Sequence, residues 1–194
     1  MKKFFSFLIL AFVTSAIALA QNDSEHMTFK GIPIDGALNE FVAKMKQAGF
    51  TYIVTQDGIA VFQGDFAGRK GCTIGVYTFK PSNKVNTIAV MFPSQKDWSS
   101  LESTYVSLKS MLTGKYGEPS ECIEMFHGNL QPDTDFEKFH KLKDKECTWD
   151  TTFRTPKGDI QLSIWSQQLD CFVLIKYFDK INTDAVKAQA MDDL

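Results

Sequence analysis

The chain has 194 residues, with 21 basic and 23 acidic side chains and a formal charge of −2. That balance offers no basic patch suited to nucleic acid or anionic lipid, so nucleic acid is not an expected partner. Aromatic residues make up 13% of the sequence, enough to core one domain, or two small units sharing a core.

Residues 1–20 read as a secretory signal. Lys2 and Lys3 precede an apolar run from Phe4 to Ala18, and Ala18-Leu19-Ala20 supplies the small residues that signal peptidase needs, with cleavage after Ala20. The run is short for a membrane span, and no Cys precedes Cys72 to carry a lipid. The expected location is periplasmic or secreted, with no membrane span after signal removal. Residues 21–31 read as a loose arm.

From Ile32 to Lys96 a first unit is expected. Leu38, Phe41, Val42 and Met45 recur at helical spacing, with Asp35 as the expected cap and Gly49 as the stop. The period then changes to two. Thr51–Thr55 and Ile59–Phe66 flank Asp57-Gly58, a hairpin signal. Strands Cys72–Phe79 and Val85–Phe92 follow around a Pro81-Ser82-Asn83 turn. Pairing Thr78 with Asn86 sets Val76 opposite Ile88 and Ile74 opposite Val90.

A second unit, 97–182, begins with a helix after Asp97, striped by Trp98, Leu101, Tyr105, Leu108, Leu112 and Tyr116 and stopped at Gly117. A strand near Glu121–His127 leads into a charged insertion, 128–145, long enough to suggest a contact loop or a docked excursion. Phe136, Phe139 and Leu142 could give it one or two helical turns. Strands Cys147–Arg154, Ile160–Trp165 and Cys171–Phe178 close the unit. Turns at Pro156-Lys157 and Gln168-Leu169 each put the same residues inward, Phe153 with Ile160 and Ile164 with Val173. Cys147 and Cys171 then lie two strands apart, too far for a disulfide. A tail helix is expected within 183–194.

The helix-then-four-strands order thus occurs twice, and Cys72-Thr73 and Pro81 recur as Cys147-Thr148 and Pro156. The predicted fold class is α+β: two helix-plus-four-strand antiparallel meander units packed as one body. This tandem pattern, from Ile32 to Asp179, resembles the β-lactamase inhibitor protein fold, which is similar to that of small outer-membrane assembly lipoproteins. The resemblance implies a binding module whose curved sheet leaves one face to a partner. No lipidated Cys is present, and the insertion departs from the inhibitor pattern, so no functional residue is carried over.

Residues for chemistry are sparse, and the reading leans away from an enzyme. No catalytic, cofactor-binding or metal-binding residue is assigned, and no cofactor is expected. His26 is expected to be solvated, and a Cys paired with His127 or His140 is the only nucleophilic arrangement to weigh. The run Asp133-Thr134-Asp135-Phe136-Glu137 opens like a calcium loop, but Lys138 replaces the required Gly and Asp144 the usual Glu.

The remaining candidate is a surface. The registers leave Tyr77, Phe79, Met91, Trp165, Phe172, Leu174 and Phe178 on the sheet face opposite the core, among polar neighbours such as Thr148, Asp150, Thr152, Arg154 and Gln161. Aromatic residues and Met in polar surroundings are the composition of protein contact sites. The sequence therefore predicts a non-catalytic binding or assembly module contacting an envelope protein or peptide. The alternative is a periplasmic carrier of a small apolar ligand, held between the sheet and the insertion.

Overall fold

A computed structural model of the chain describes residues 24–79, 82–168 and 170–192. The signal segment 1–20 with its cleavage point, and the turn residues Pro81 and Leu169, lie outside the described residues. Two short strands, β1 (Thr28–Phe29) and β2 (Ile32–Pro33), form a hairpin ahead of helix α1 (Leu38–Gln47). A first meander follows: β3 (Thr51–Gln56), β4 (Ile59–Phe66), β5 (Arg69–Phe79) and β6 (Lys84–Met91). Helix α2 (Trp98–Tyr116) leads to β7 (Glu121–Phe126), α3 (Asp135–Lys143), β8 (Cys147–Thr155), β9 (Gly158–Gln167) and β10 (Asp170–Asp179). Helix α4 (Lys180–Asp192) follows, starting earlier than the expected tail helix.

The fold is α+β. The meanders join through their last strands, β6 against β10, in one open antiparallel sheet of order β3-β4-β5-β6-β10-β9-β8-β7. Strand alternation sends every second side chain to one face. One cross-strand row, Tyr52–Phe62–Ile74–Val90–Ile175–Leu162–Thr151–Cys122, crosses all eight strands. Its inner members, from Phe62 to Thr151, are fully or almost fully buried. Helix α1 covers the first half with Phe41 and Met45. Helix α2 covers the second with Trp98, Leu101, Tyr105, Leu108 and Leu112, the stripe expected from its spacing, and Tyr116 packs at its margin. Asp97 caps α2 by accepting from the Ser100 amide.

The β8–β9 and β9–β10 registers are those read from the sequence: Phe153 faces Ile160, Ile164 faces Val173 and Ile160 faces Tyr177. Cys147 and Cys171 lie on β8 and β10 with β9 between them, and all four cysteines are free thiols.

Five expectations need correction. Thr78 pairs with Val85, because an irregularity after Tyr77 displaces Asn86 from the ladder, while Val76–Ile88 and Ile74–Val90 hold. Asp35 does not cap α1, whose N-cap is Ala37 without a side-chain bond. Asp35 instead bonds the Asn182 amide and lies 3.5 Å from both His26 and Lys84. The expected loose arm is, from Ser24 on, folded: Met27 and Phe29 are buried, and Phe29 stacks on Phe66 at 5.3 Å. His26 is not solvated but holds Asp179 at 2.9 Å. The letter matches between the halves also fall on different strands: Cys72 lies in the third strand of its meander, Cys147 in the second.

Candidate functional site

The sheet face away from α1 and α2 carries all seven sequence-predicted residues, and the structure divides them. The row Thr51–Gln63–Thr73–Met91–Leu174–Ser163–Asp150–Ile123 lies on this face, as does Phe172 opposite Trp165. At the β6–β10 seam, Phe172 (3% exposed) and Leu174 (8%) pack with Ala89 into a small second cluster, and Met91 leans on it half-buried. These three form a floor rather than a free patch. Phe79 and Phe178 are half-buried at the end of the face, with Phe178 lining a hollow beside α4.

Trp165 (48% exposed) and Tyr77 (38%) remain open. Tyr77 lies across Gly75, where a Cβ would meet its ring at 2.8 Å. Glycine there lets the ring lie flat on the strand. Trp165 is the cross-strand neighbour of Phe172, and the Lys145 ammonium, from the end of the insertion, sits 4.7 Å from its ring centre. The same ammonium donates to the Ser166 carbonyl. A cation over an indole face is attracted by the ring quadrupole, so the insertion holds Trp165 from one side.

Beside Trp165 a groove of about 320 Å³ runs over β7 to β10, lined by Glu121, Ile123, Asp150, Thr152, Gln161, Ser163 and Lys176. From the sequence, Asp150, Thr152 and Gln161 are only polar background to the aromatic face. The sequence did not place Glu121 and Ile123 beside them, because the register of β7 on β8, across the long insertion, had no tight turn to set it. The Asp150 carboxyl is held above its ordinary range, first by burial and then by the Glu121 charge, with Lys176 opposing. Two carboxylates thus share a groove with one ammonium, beside an exposed indole.

The other candidate chemistry lies elsewhere. Glu137 and Thr134 form a capping box that starts α3, and Asp135 accepts from the Ser99 amide and hydroxyl at the start of α2. The acidic run is thus a helix start that ties the insertion to α2. Among the described residues no cluster of His, Cys, Asp or Glu has the arrangement of a metal site, and no helix is long and apolar enough to cross a membrane. His127 bonds Thr148 at 2.8 Å, and His140 packs on Phe136. Burial pushes the Cys72 and Cys171 thiols up, and that of Cys147 to about 11. Cys122 is exposed, and its partners are Lys109 at 3.1 Å, Glu124 at 3.3 Å and Thr151 at 3.6 Å. The hollow at the insertion, about 270 Å³, has a mostly apolar wall, to which Leu130 and Pro132 contribute, with Glu137, His140, Lys141, Asp144 and Glu146 also in its lining.

Fold and surface together define a class: an α+β protein with an open eight-stranded antiparallel sheet, helices on one face and a mixed aromatic and charged groove on the other. Comparison with protein-family models, curated protein sequences and solved structures returned no match.

Proposed function

We propose that this chain is an exported, non-catalytic binding or assembly module that takes an extended protein segment along the open sheet face, beside Trp165. The observation that carries the reading is the groove itself. Asp150 and Glu121 place two carboxylates in it against the single ammonium of Lys176, and an incoming Lys or Arg balances that excess of negative charge. Ile123 and Trp165 flank the charges and take apolar neighbours of that cation. Aromatic anchors beside satisfied polar groups are the usual source of binding energy in such contacts. The occupant is therefore a segment with a basic residue flanked by apolar ones, borne by an envelope protein or peptide. The element order that resembles the β-lactamase inhibitor protein fold agrees with a partner-binding sheet.

The test is selection from a random peptide library on the whole protein. Enriched peptides should carry Lys or Arg between apolar residues, and should lose binding to Trp165→Ala and to Asp150→Lys. Peptides without a basic residue, or peptides bound equally by both variants, would remove the reading.

A further inference from the structure

A hollow of about 280 Å³ opens where the first turns of α4 meet the β8–β9 turn and the end of the open face. Arg154, Lys180 and Lys187 all line it. Arg154 and Lys180 are exposed, and neither side chain has a hydrogen-bond or ion-pair partner among the described residues. Lys187 lies 3.9 Å from Asp184. The Thr183 hydroxyl, also in the lining, is buried and has no partner. A buried hydroxyl is normally satisfied, so an orphan one at a cavity wall marks a place for a ligand atom.

The charges define the ligand. Three cations face two carboxylates, Asp159 and Asp184, which leaves one positive charge in excess. A monoanion balances that excess, whereas the second charge of a phosphate dianion would meet the two carboxylates. Phe178 offers an apolar wall. The volume suits a small organic acid rather than a large cofactor.

We propose that this hollow binds a monovalent carboxylate attached to an apolar group. Arg154 and Lys180 take the carboxylate, the Thr183 hydroxyl donates to it, and the apolar group lies on Phe178. A fork of guanidinium donors matches carboxylate geometry. The site is separate from the Trp165 groove and does not depend on that reading.

The test titrates the whole protein with hydrocinnamate, followed by calorimetry and amide NMR shifts. Hydrocinnamamide and inorganic phosphate serve as controls. Saturable hydrocinnamate binding is expected, with shifts centred on Gly158 and the first turn of α4. Affinity should fall about tenfold for the amide and for Arg154→Gln, the scale of one hydrogen bond to a charged group. Thr183→Val should weaken binding less, with the thermal midpoint unchanged. A short peptide ending in Phe with a free carboxylate separates the sources. Tighter binding of the peptide assigns the site to a chain terminus, and tighter binding of hydrocinnamate to a free acid. No saturable binding, equal binding of the amide or phosphate, or an unaffected Arg154→Gln would overturn the proposal.

Discussion

Asp179, fully buried at the end of β10, holds the ring of His26 at 2.9 Å across most of the chain length. The same carboxylate accepts from the Met27 and Asn182 amides, so it closes the β1–β2 hairpin and caps α4. Removing a buried, hydrogen-bonded charge partner leaves donors unsatisfied, at a cost of about 3–5 kcal/mol. Asp179→Ala should lower the unfolding free energy read from urea denaturation by that order and detach α4, seen as lost helical signal. A loss below about 1 kcal/mol would show that the latch is redundant.

Trp165 and Phe172 face each other but should respond differently. Phe172→Ala opens a hole in a packed cluster and should cost about 3 kcal/mol. Trp165→Ala removes an exposed ring and should cost less than about 1 kcal/mol, while abolishing recognition of basic peptides. Denaturant unfolding of both variants checks the ranking, and an equal loss would contradict the burial pattern.

Gly158 has φ +148, and a Cβ there would lie 2.0 Å from the Phe178 carbonyl. Both the backbone region and the contact exclude a side chain. Gly158→Ala should destabilise the protein by at least about 2 kcal/mol, whereas Gly114→Ala, in a helix with open space around it, should stabilise it by about 0.5–1 kcal/mol. Thermal unfolding distinguishes the two.

Thiol reactivity should be selective. Cys122 is exposed, Cys72 and Cys171 are buried, and burial pushes the Cys147 thiol up to about 11. The thiolate is the reactive form, so a thiol reagent at pH 8 should modify Cys122 first, and the others only on unfolding. Mass mapping that finds Cys147 modified as fast would contradict this.

Lys109 and Glu124 lie 2.6 Å apart at the edge of α2 and β7. Burial alone would raise the Glu124 carboxyl, but the Lys109 and Cys122 hydrogen bonds and the Lys109 charge outweigh it and hold the group below its ordinary 4.5. Burial likewise works against the Lys109 ammonium, yet its hydrogen bonds to Glu124 and Cys122, with the Glu124 charge, hold its pKa above the ordinary 10.5. A lowered acid stabilises above its unfolded pKa, and a raised base stabilises below its own. The pair is therefore fully effective between 4.5 and 10.5. Glu124→Gln should cost less than about 1 kcal/mol there, with the difference fading as pH falls below that window. A difference that persists in acid would assign the effect to packing.

Much of the fold was legible because it follows from local period and turn chemistry. The stripe from Trp98 to Tyr116 and the Asp57-Gly58 hairpin are short-range signals. The parity of β9 and β10 was cross-checked by two turns, and a one-residue slip would have inverted every side chain. The failures needed distant partners. Asp35 has the chemistry of a helix cap, yet Asn182, His26 and Lys84 draw it elsewhere. Alternation placed Phe172 and Leu174 on the outer face, but it could not show that the joining of β6 to β10 would bury them there.

By itself, then, the sequence determined helices α1 and α2, the strands β3 to β10, their order and which side chains share a face, since these depend on residues a few positions apart. Only the tertiary structure decided which strand of one meander meets which of the other, that β7 completes the Trp165 groove and that α4 walls in the hollow by Phe178. Those outcomes are fixed by the pairing of strand edges and by contacts such as His26 with Asp179, between segments whose separation along the chain leaves no local pattern to read.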